Sequence, residues 1–537
     1  MRHIYRYGCP CLSVAVLVPN RGLFIIQEAI LRKIPLAAVG VVSALALTAV
    51  PGPSVAVDEI NTREIREAVT IGGILGHDRA LQWIANRNDG TRASGTPGYA
   101  ASADYVKRTL TRAGYDVTEQ EFAFDFFREL APASLSQVSP TPTDYETSTL
   151  GYSGSGEVTG KLVPTNDIMV PPPATPSSTN SGCAPTDFPT APPGDAIALI
   201  QRGTCFFEDK AANAEAAGYE AVVIFNEGQP GRTELLTGTL GRPFALPVVG
   251  ISHADGAALY EQTKRGDVVM NVVTSTESEE RTTSNILADS PDGKAEKSTV
   301  VGAHLDSVIE GPGINDNGSG TSAILEIAEE MAELGKQPRQ RIRFAFWGAE
   351  ESGLLGSTHY VESLDDQEFG QIVANLNFDM VGSTNYVRFV YDGDGSDSDP
   401  EGPPGSAQIE DIFTEYFAGQ GLESAPTEFS GRSDYGPFIE AGIPAGGLFT
   451  GAEGVKTAEE AAIYGGTAGE AYDSCYRQAC DNINNLSTKA LGEMSDAAAH
   501  AVWTLARTKT GFFEDGSLRT TRYKAPKFKY SGSHAQR

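Results

Sequence analysis

The run Val301-Gly-Ala-His304-Leu-Asp306-Ser307, followed after a Gly-rich loop by Ile314-Asn-Asp316-Asn-Gly318-Ser-Gly320, sets the reading of this chain. Phe346-Trp-Gly-Ala-Glu350-Glu351-Ser-Gly and Asn377-Phe-Asp379-Met come after it. Each polar cluster ends an apolar, strand-like stretch: Ser298-Thr-Val-Val-Gly-Ala before His304, Arg341-Ile-Arg-Phe-Ala-Phe before the glutamates, Ile372-Val-Ala-Asn-Leu before Asp379. Strand ends that deliver an imidazole and several carboxylates to one sheet edge describe a metal-assisted site, where open α/β sheets place their ligands. One imidazole with several carboxylates suits Zn²⁺, and a carboxylate shared between two ions suits a paired site.

Outward from these motifs, residues 281–510 alternate strand and helix. That pattern predicts a mainly parallel or mixed twisted sheet flanked by helices, an α/β fold. Gly320 to Leu334 reads as a helix opened by the turn after Asp316. Residues 57–130 read as helix then strand: Ala100 to Leu110 has helical periodicity, Gly114 stands at its C-cap, and Asp116 to Phe124 alternates. From 130 to 190 the chain is rich in Pro, Ser, Thr and Gly, which is loop or linker composition. Order resumes with a buried strand at Ala196 to Ile200, a helix at Glu208 to Ala217 and a strand at Ala221 to Phe225. Residues 511–537 read as a polar, locally basic tail.

A chain of 537 residues, 40% hydrophobic and 21% charged, fits a soluble protein of two or three domains. Its net charge of -29 argues against nucleic acid or anionic membrane as the main partner. Leu31-Arg32-Lys33, the apolar run from Ile34 to Val50 and Ser54-Val55-Ala56 read as a signal peptide within residues 1–56, with an over-extended N-terminus. An uncleaved anchor is the alternative; no later segment is long and apolar enough to span a bilayer. The expectation is a secreted, extracellular monomer. With Cys9 and Cys11 removed, Cys183, Cys205, Cys475 and Cys480 remain of the six cysteines. An even number in an exported chain suggests two disulfides, and proximity in sequence favours Cys183–Cys205 and Cys475–Cys480. A cysteine metal site competes with this, without a C-x-x-C pair to support it.

Taken together, the motifs resemble the secreted co-catalytic zinc aminopeptidases of bacteria, of the subgroup with an inserted protease-associated domain. The resemblance rests on Gly302-Ala-His304-Leu-Asp306-Ser, Asn315-Asp316-Asn-Gly-Ser-Gly, Trp347-Gly-Ala-Glu350-Glu351-Ser-Gly, Asn377-Phe-Asp379-Met-Val-Gly, Gly431-Arg432-Ser-Asp434-Tyr-Gly and Cys475-Tyr476 to Cys480-Asp481. Arg92-Ala-Ser-Gly-Thr-Pro-Gly fits the family's opening. The insert, placed at 131–280, is similar to protease-associated domains through Cys183, Asp195 to Phe207, Lys210 to Gly218 and Val222 to Asn226. The likeness covers roughly residues 65 to 510.

The resemblance implies a zinc aminopeptidase acting on peptides or proteins with a free N-terminus. It implies Glu350 as general base, Glu351 as zinc ligand, His304 and Asp379 on one zinc, and Asp316 bridging two. Asp306 would hold the other imidazole N–H. Tyr476 would hydrogen-bond the reaction intermediate, its plain alternative being packing beside the disulfide. Arg432 would touch substrate or pair with Asp434. Gly318 and Gly320 would permit tight backbone behind Asp316. The remaining histidines, His77, His253, His359, His500 and His534, read as surface or packing residues without a carboxylate-rich frame.

One position departs from the family. The residue after Cys475-Tyr476 is there a histidine on the second zinc; here it is Arg477. A guanidinium has no free lone pair and cannot ligate a metal. Three outcomes follow: one tight zinc with a second weak or absent, Arg477 supplying part of that ion's charge, or a catalytically impaired binding module. A related carboxypeptidase or glutaminyl cyclase is a further alternative.

Overall fold

A computed structural model describes residues 60–508; the expected signal peptide, the expected tail and His534 lie outside the described residues. The described strands form one 14-stranded mixed sheet. Three adjacent parallel strands carry the motifs: Lys294–His304 pairs with Gln340–Trp347 on one side and with Ile372–Phe378 on the other. Trp347 lies opposite His304, and Asn377 opposite Gly302. The register therefore brings three strand C-termini level, and the polar residues that follow them meet at one edge. Ser298 through His304 and all of Ile372–Phe378 are buried, as expected for parallel strands covered on both faces.

Helices cover this part of the sheet. Gly320–Glu333 starts directly behind Asp316, and a Cβ at Gly320 would stand 2.2 Å from the Phe378 carbonyl oxygen. Only glycine lets the helix start approach that strand end. Thr488–Arg507, Ser406–Gly419 and Ile71–Asn86 join it around one core that includes Phe344, Phe346, Phe378, Phe413 and Leu491. Pro97–Ala113 runs as expected from its sequence, with the Thr96 hydroxyl capping Tyr99 N–H and Gly114 closing it at φ 92°.

His77 corrects an expectation. It lies 3.0 Å from Glu329 and 3.5 Å from Glu326, with Tyr105 Oη 2.7 Å from its other nitrogen. Burial alone would lower its pKa, but the two glutamates raise it to about 10. The carboxylate frame comes from a helix some 250 residues away, so local sequence could not show it. His253, His359 and His500 are packing residues: His359 stacks on Phe122 and His500 on Tyr416.

The 130–190 region also differs from its composition. Strand Asp116–Ser139 continues unbroken through it and pairs antiparallel with Val269–Asp289 from Asp116–Asp289 to Ser139–Val269. Gly156–Pro164 is a further strand, whereas residues 165–195, which include the triple proline, hold no strand. Long-range pairing overrides local propensity here. The ribbon carries the insert: Val269–Asp289 pairs with Gln340–Trp347 at one end and Gly156–Pro164 at the other. The sheet then continues through Ala196–Gln201, Ala221–Phe225 and Val248–Ile251, with an apolar cluster on each face. Both expected disulfides, Cys183–Cys205 and Cys475–Cys480, are present. No described helix is long and apolar enough to cross a membrane.

Candidate metal centre

His304 ends its strand with its ring fully buried. Its Nδ1 faces the Asp306 backbone carbonyl oxygen at 3.1 Å and the Asp306 carboxylate at 3.6 Å. The carbonyl can only accept, so the network assigns the Nδ1 proton, and Nε2 turns to the cluster. Nε2 lies 3.1 Å from Asp316 Oδ1 and 3.3 Å from Asp379 Oδ1. The three groups are within 4.8 Å of one another. Asp379 Oδ1 is buried and makes no hydrogen bond; its other oxygen accepts from the Ser433 hydroxyl at 2.6 Å.

Asp306 also ties the next strand end into place, its two oxygens accepting from Glu350 N–H at 3.2 Å and Glu351 N–H at 3.4 Å. Glu350 stands 3.9 Å from His304 Nε2. Burial dominates the electrostatics, opposed by His304 and, for Glu351, by Arg477. It holds the Glu350 carboxyl well above its usual range and pushes Glu351 up to about 8. Asp316 is raised mainly by burial, whereas His304 holds Asp379 below its ordinary value against burial. Burial opposes charge on His304 too, but Asp379 and Glu350 carry its pKa well above normal.

A divalent cation fits this donor set. An imidazole lone pair and two aspartate oxygens, one of them buried without a hydrogen bond, converge, and crowded carboxylates resist ionisation until a cation joins them.

On the Glu351 side the position is filled differently. Arg477 Nη2 donates to Glu351 Oε2 at 2.7 Å. Arg477 takes a left-handed φ of 56° inside the Cys475–Cys480 loop, which aims its side chain inward. Tyr476 Oη accepts from Arg432 Nη2 at 3.3 Å, and Arg432 Nη1 donates to Glu453 at 2.6 Å. Arg432 therefore pairs with Glu453 rather than with Asp434.

Three supports escaped sequence reasoning. Asp481 accepts from the Asn315 and Asp316 N–H groups at 2.8 and 3.0 Å and so holds the Asp316 backbone. Arg92 is fully buried and braces the loop behind His304 through the Pro312 and Gly313 carbonyls at 2.8 and 2.6 Å, and through that of Leu305. Ser433 orients Asp379. All three lie inside the quoted motifs, so their place was visible and their partners were not. The Asp316–Asn317 peptide is cis.

Three comparisons fit this geometry. Residues 285–502 match peptidase family M28 and residues 158–259 match the PA domain. An aminopeptidase from Pseudomonas aeruginosa is 48% identical over 437 residues, 80% of each chain. Among solved structures, an aminopeptidase from Aneurinibacillus superposes with TM-score 0.63 at 25% identity, covering 83% of this chain and 97% of that one. A zinc aminopeptidase from Bacillus subtilis superposes with TM-score 0.57 at 26% identity, covering 84% and 99%. With the motifs in one centre and a relative this similar along most of its length, the chain belongs to peptidase family M28, among the aminopeptidases with an inserted PA domain.

Proposed function

We propose that this chain is an exported, zinc-dependent aminopeptidase that hydrolyses the first peptide bond of substrates with a free N-terminus. The observation that carries the reading is the meeting of His304 Nε2, Asp316 Oδ1 and the hydrogen-bond-free Asp379 Oδ1 in one buried site. Zinc would polarise the scissile carbonyl and acidify the attacking water.

The chain's own groups divide the remaining work. His304, Asp316 and Asp379 hold the ion, and Asp306 fixes the imidazole and the Glu350–Glu351 backbone. Glu350 takes the proton of the attacking water and passes it to the leaving nitrogen as the C–N bond breaks. The Tyr476 hydroxyl, positioned by Arg432, donates to the carbonyl oxygen as it gains negative charge. Arg477 neutralises Glu351, so one zinc is held tightly and a second is weak or absent. The domain division near residues 130 and 280, through the two-stranded ribbon, belongs to the same reading.

The test is hydrolysis of aminoacyl-4-nitroanilides by the purified protein. Release is expected, with loss on zinc chelation, recovery on adding zinc, and none from an N-acetylated substrate. Trimming from a free C-terminus, or cyclisation of an N-terminal glutamine instead, would overturn the assignment.

The Cys475–Cys480 loop gives a second expectation. Cys475→Ser with Cys480→Ser should lower turnover by about 10-fold while moving the melting temperature little. Closing so short a loop removes little unfolded-state entropy, yet Tyr476 and Arg477 sit inside it. A large thermal loss with full activity would make the disulfide a structural staple only.

A further inference from the structure

The metal cluster lies between two cavities. The smaller, about 300 Å³, is bounded by Asp316, Glu350 and Asp379 and walled by Met380, Phe389 and Phe449. The larger, about 560 Å³, starts from Glu351 and Asp306 and runs out between the peptidase part and the insert. Arg477 lines both. An enzyme cutting after the first residue needs room for one residue on one side of the bond and for the rest of the chain on the other. The smaller cavity suits the first requirement and the larger the second.

The outer wall of the larger cavity belongs to the insert, through Tyr152, Thr237 and Thr239, facing Phe127 and Ile309. This wall is held in place. Gly151 N–H donates to the Gly238 carbonyl and Leu240 N–H to the Gly151 carbonyl, both at 2.9 Å, closing the two strips into a bridge. Tyr152 sits at φ 65°, a left-handed conformation that a bulky residue adopts only when its surroundings impose it. Those surroundings are the Phe127 ring, 5.6 Å away between centroids, and the Asp125 carbonyl, which accepts from Tyr152 Oη at 3.2 Å. Both belong to the ribbon that enters the insert, so the wall is anchored to the strand that also reaches the peptidase part.

We propose that the residues downstream of the cleaved bond run as an extended strand through this cleft, with Tyr152, Thr237 and Thr239 of the insert as its outer wall. This rests on the aminopeptidase reading and adds a role for the insert. The partner is a peptide segment several residues long and free to leave folded structure. Apolar floor residues such as Phe127 and Ile309, with the threonine hydroxyls opposite, suit a backbone of mixed side chains rather than a single charged group.

The test compares an aminoacyl-4-nitroanilide, which places its first residue in the smaller cavity and only one aryl group downstream of the bond, with a pentapeptide sharing its N-terminal residue. Thr237 is exposed, and Thr237→Trp would place an indole in the cleft. The kcat/KM for the pentapeptide relative to that for the anilide should fall about 10-fold or more. In the unmodified protein, kcat/KM should rise from dipeptide to tetrapeptide as downstream residues gain wall contacts. An unchanged ratio in the variant, or a flat length series in the wild type, would overturn the cleft assignment. If the wild type cuts neither substrate, the aminopeptidase reading itself falls instead.

Discussion

Glu350→Ala is expected to lower turnover by about 100-fold or more while leaving zinc content at the wild-type level, the scale of lost general-base help. Glu350 is buried beside the His304 ring, 3.9 Å from Nε2, with its backbone tied to Asp306. Unlike Glu351 it has no guanidinium partner in the cluster, and it stands farther from the imidazole than Asp379 does, at 3.9 against 3.3 Å. It is thus the carboxylate left over once ligands and counter-charges are assigned, and its raised pKa reflects burial more than any specific partner. Metal analysis alongside kinetics separates its roles. Zinc lost with activity would make Glu350 a ligand, and unchanged turnover would remove it from the chemistry.

Arg477→His should raise the tightly held zinc from about one to about two per chain. The wild-type guanidinium donates to Glu351 at 2.7 Å from a partly buried position, and the charge of Glu351 is the largest cause of the raised pKa of Arg477. An imidazole at residue 477 would instead offer a lone pair beside Asp316 and Glu351, the ligand set that a second ion needs. Turnover should rise if the missing ion limits the reaction. If the guanidinium has taken over the ion's electrostatic work, the variant should gain metal without rate, and Arg477→Ala should lose rate sharply because Glu351 is left buried and uncompensated. Zinc content distinguishes both cases from a variant that merely folds poorly.

The sequence displayed the fold where chemistry and periodicity coincide. Apolar runs ending in His304, in Glu350 and Glu351 and in Asp379 gave parallel strands and their functional edge together, and the register of Trp347 opposite His304 follows that reading. Proximity in sequence likewise found both disulfide pairs. What stayed hidden depended on residues far apart in the chain. Strand Asp116–Ser139 crosses a Pro- and Ser-rich stretch because its partner, Val269–Asp289, lies on the far side of the insert. The frame of His77 comes from Glu326 and Glu329, and the brace on Asp316 from Asp481. Arg477 was recognisable as a departure, but its grip on Glu351 required the backbone of the 475–480 loop, with φ 56° turning the side chain inward.

The measurement that bears most directly on this account is the zinc content of the unmodified protein after exhaustive dialysis. With Arg477 against Glu351, the account predicts about one zinc per chain, any second ion being weak and removed. Two zincs surviving dialysis would contradict it, by showing that another residue completes the second position and that Arg477 does not occupy it.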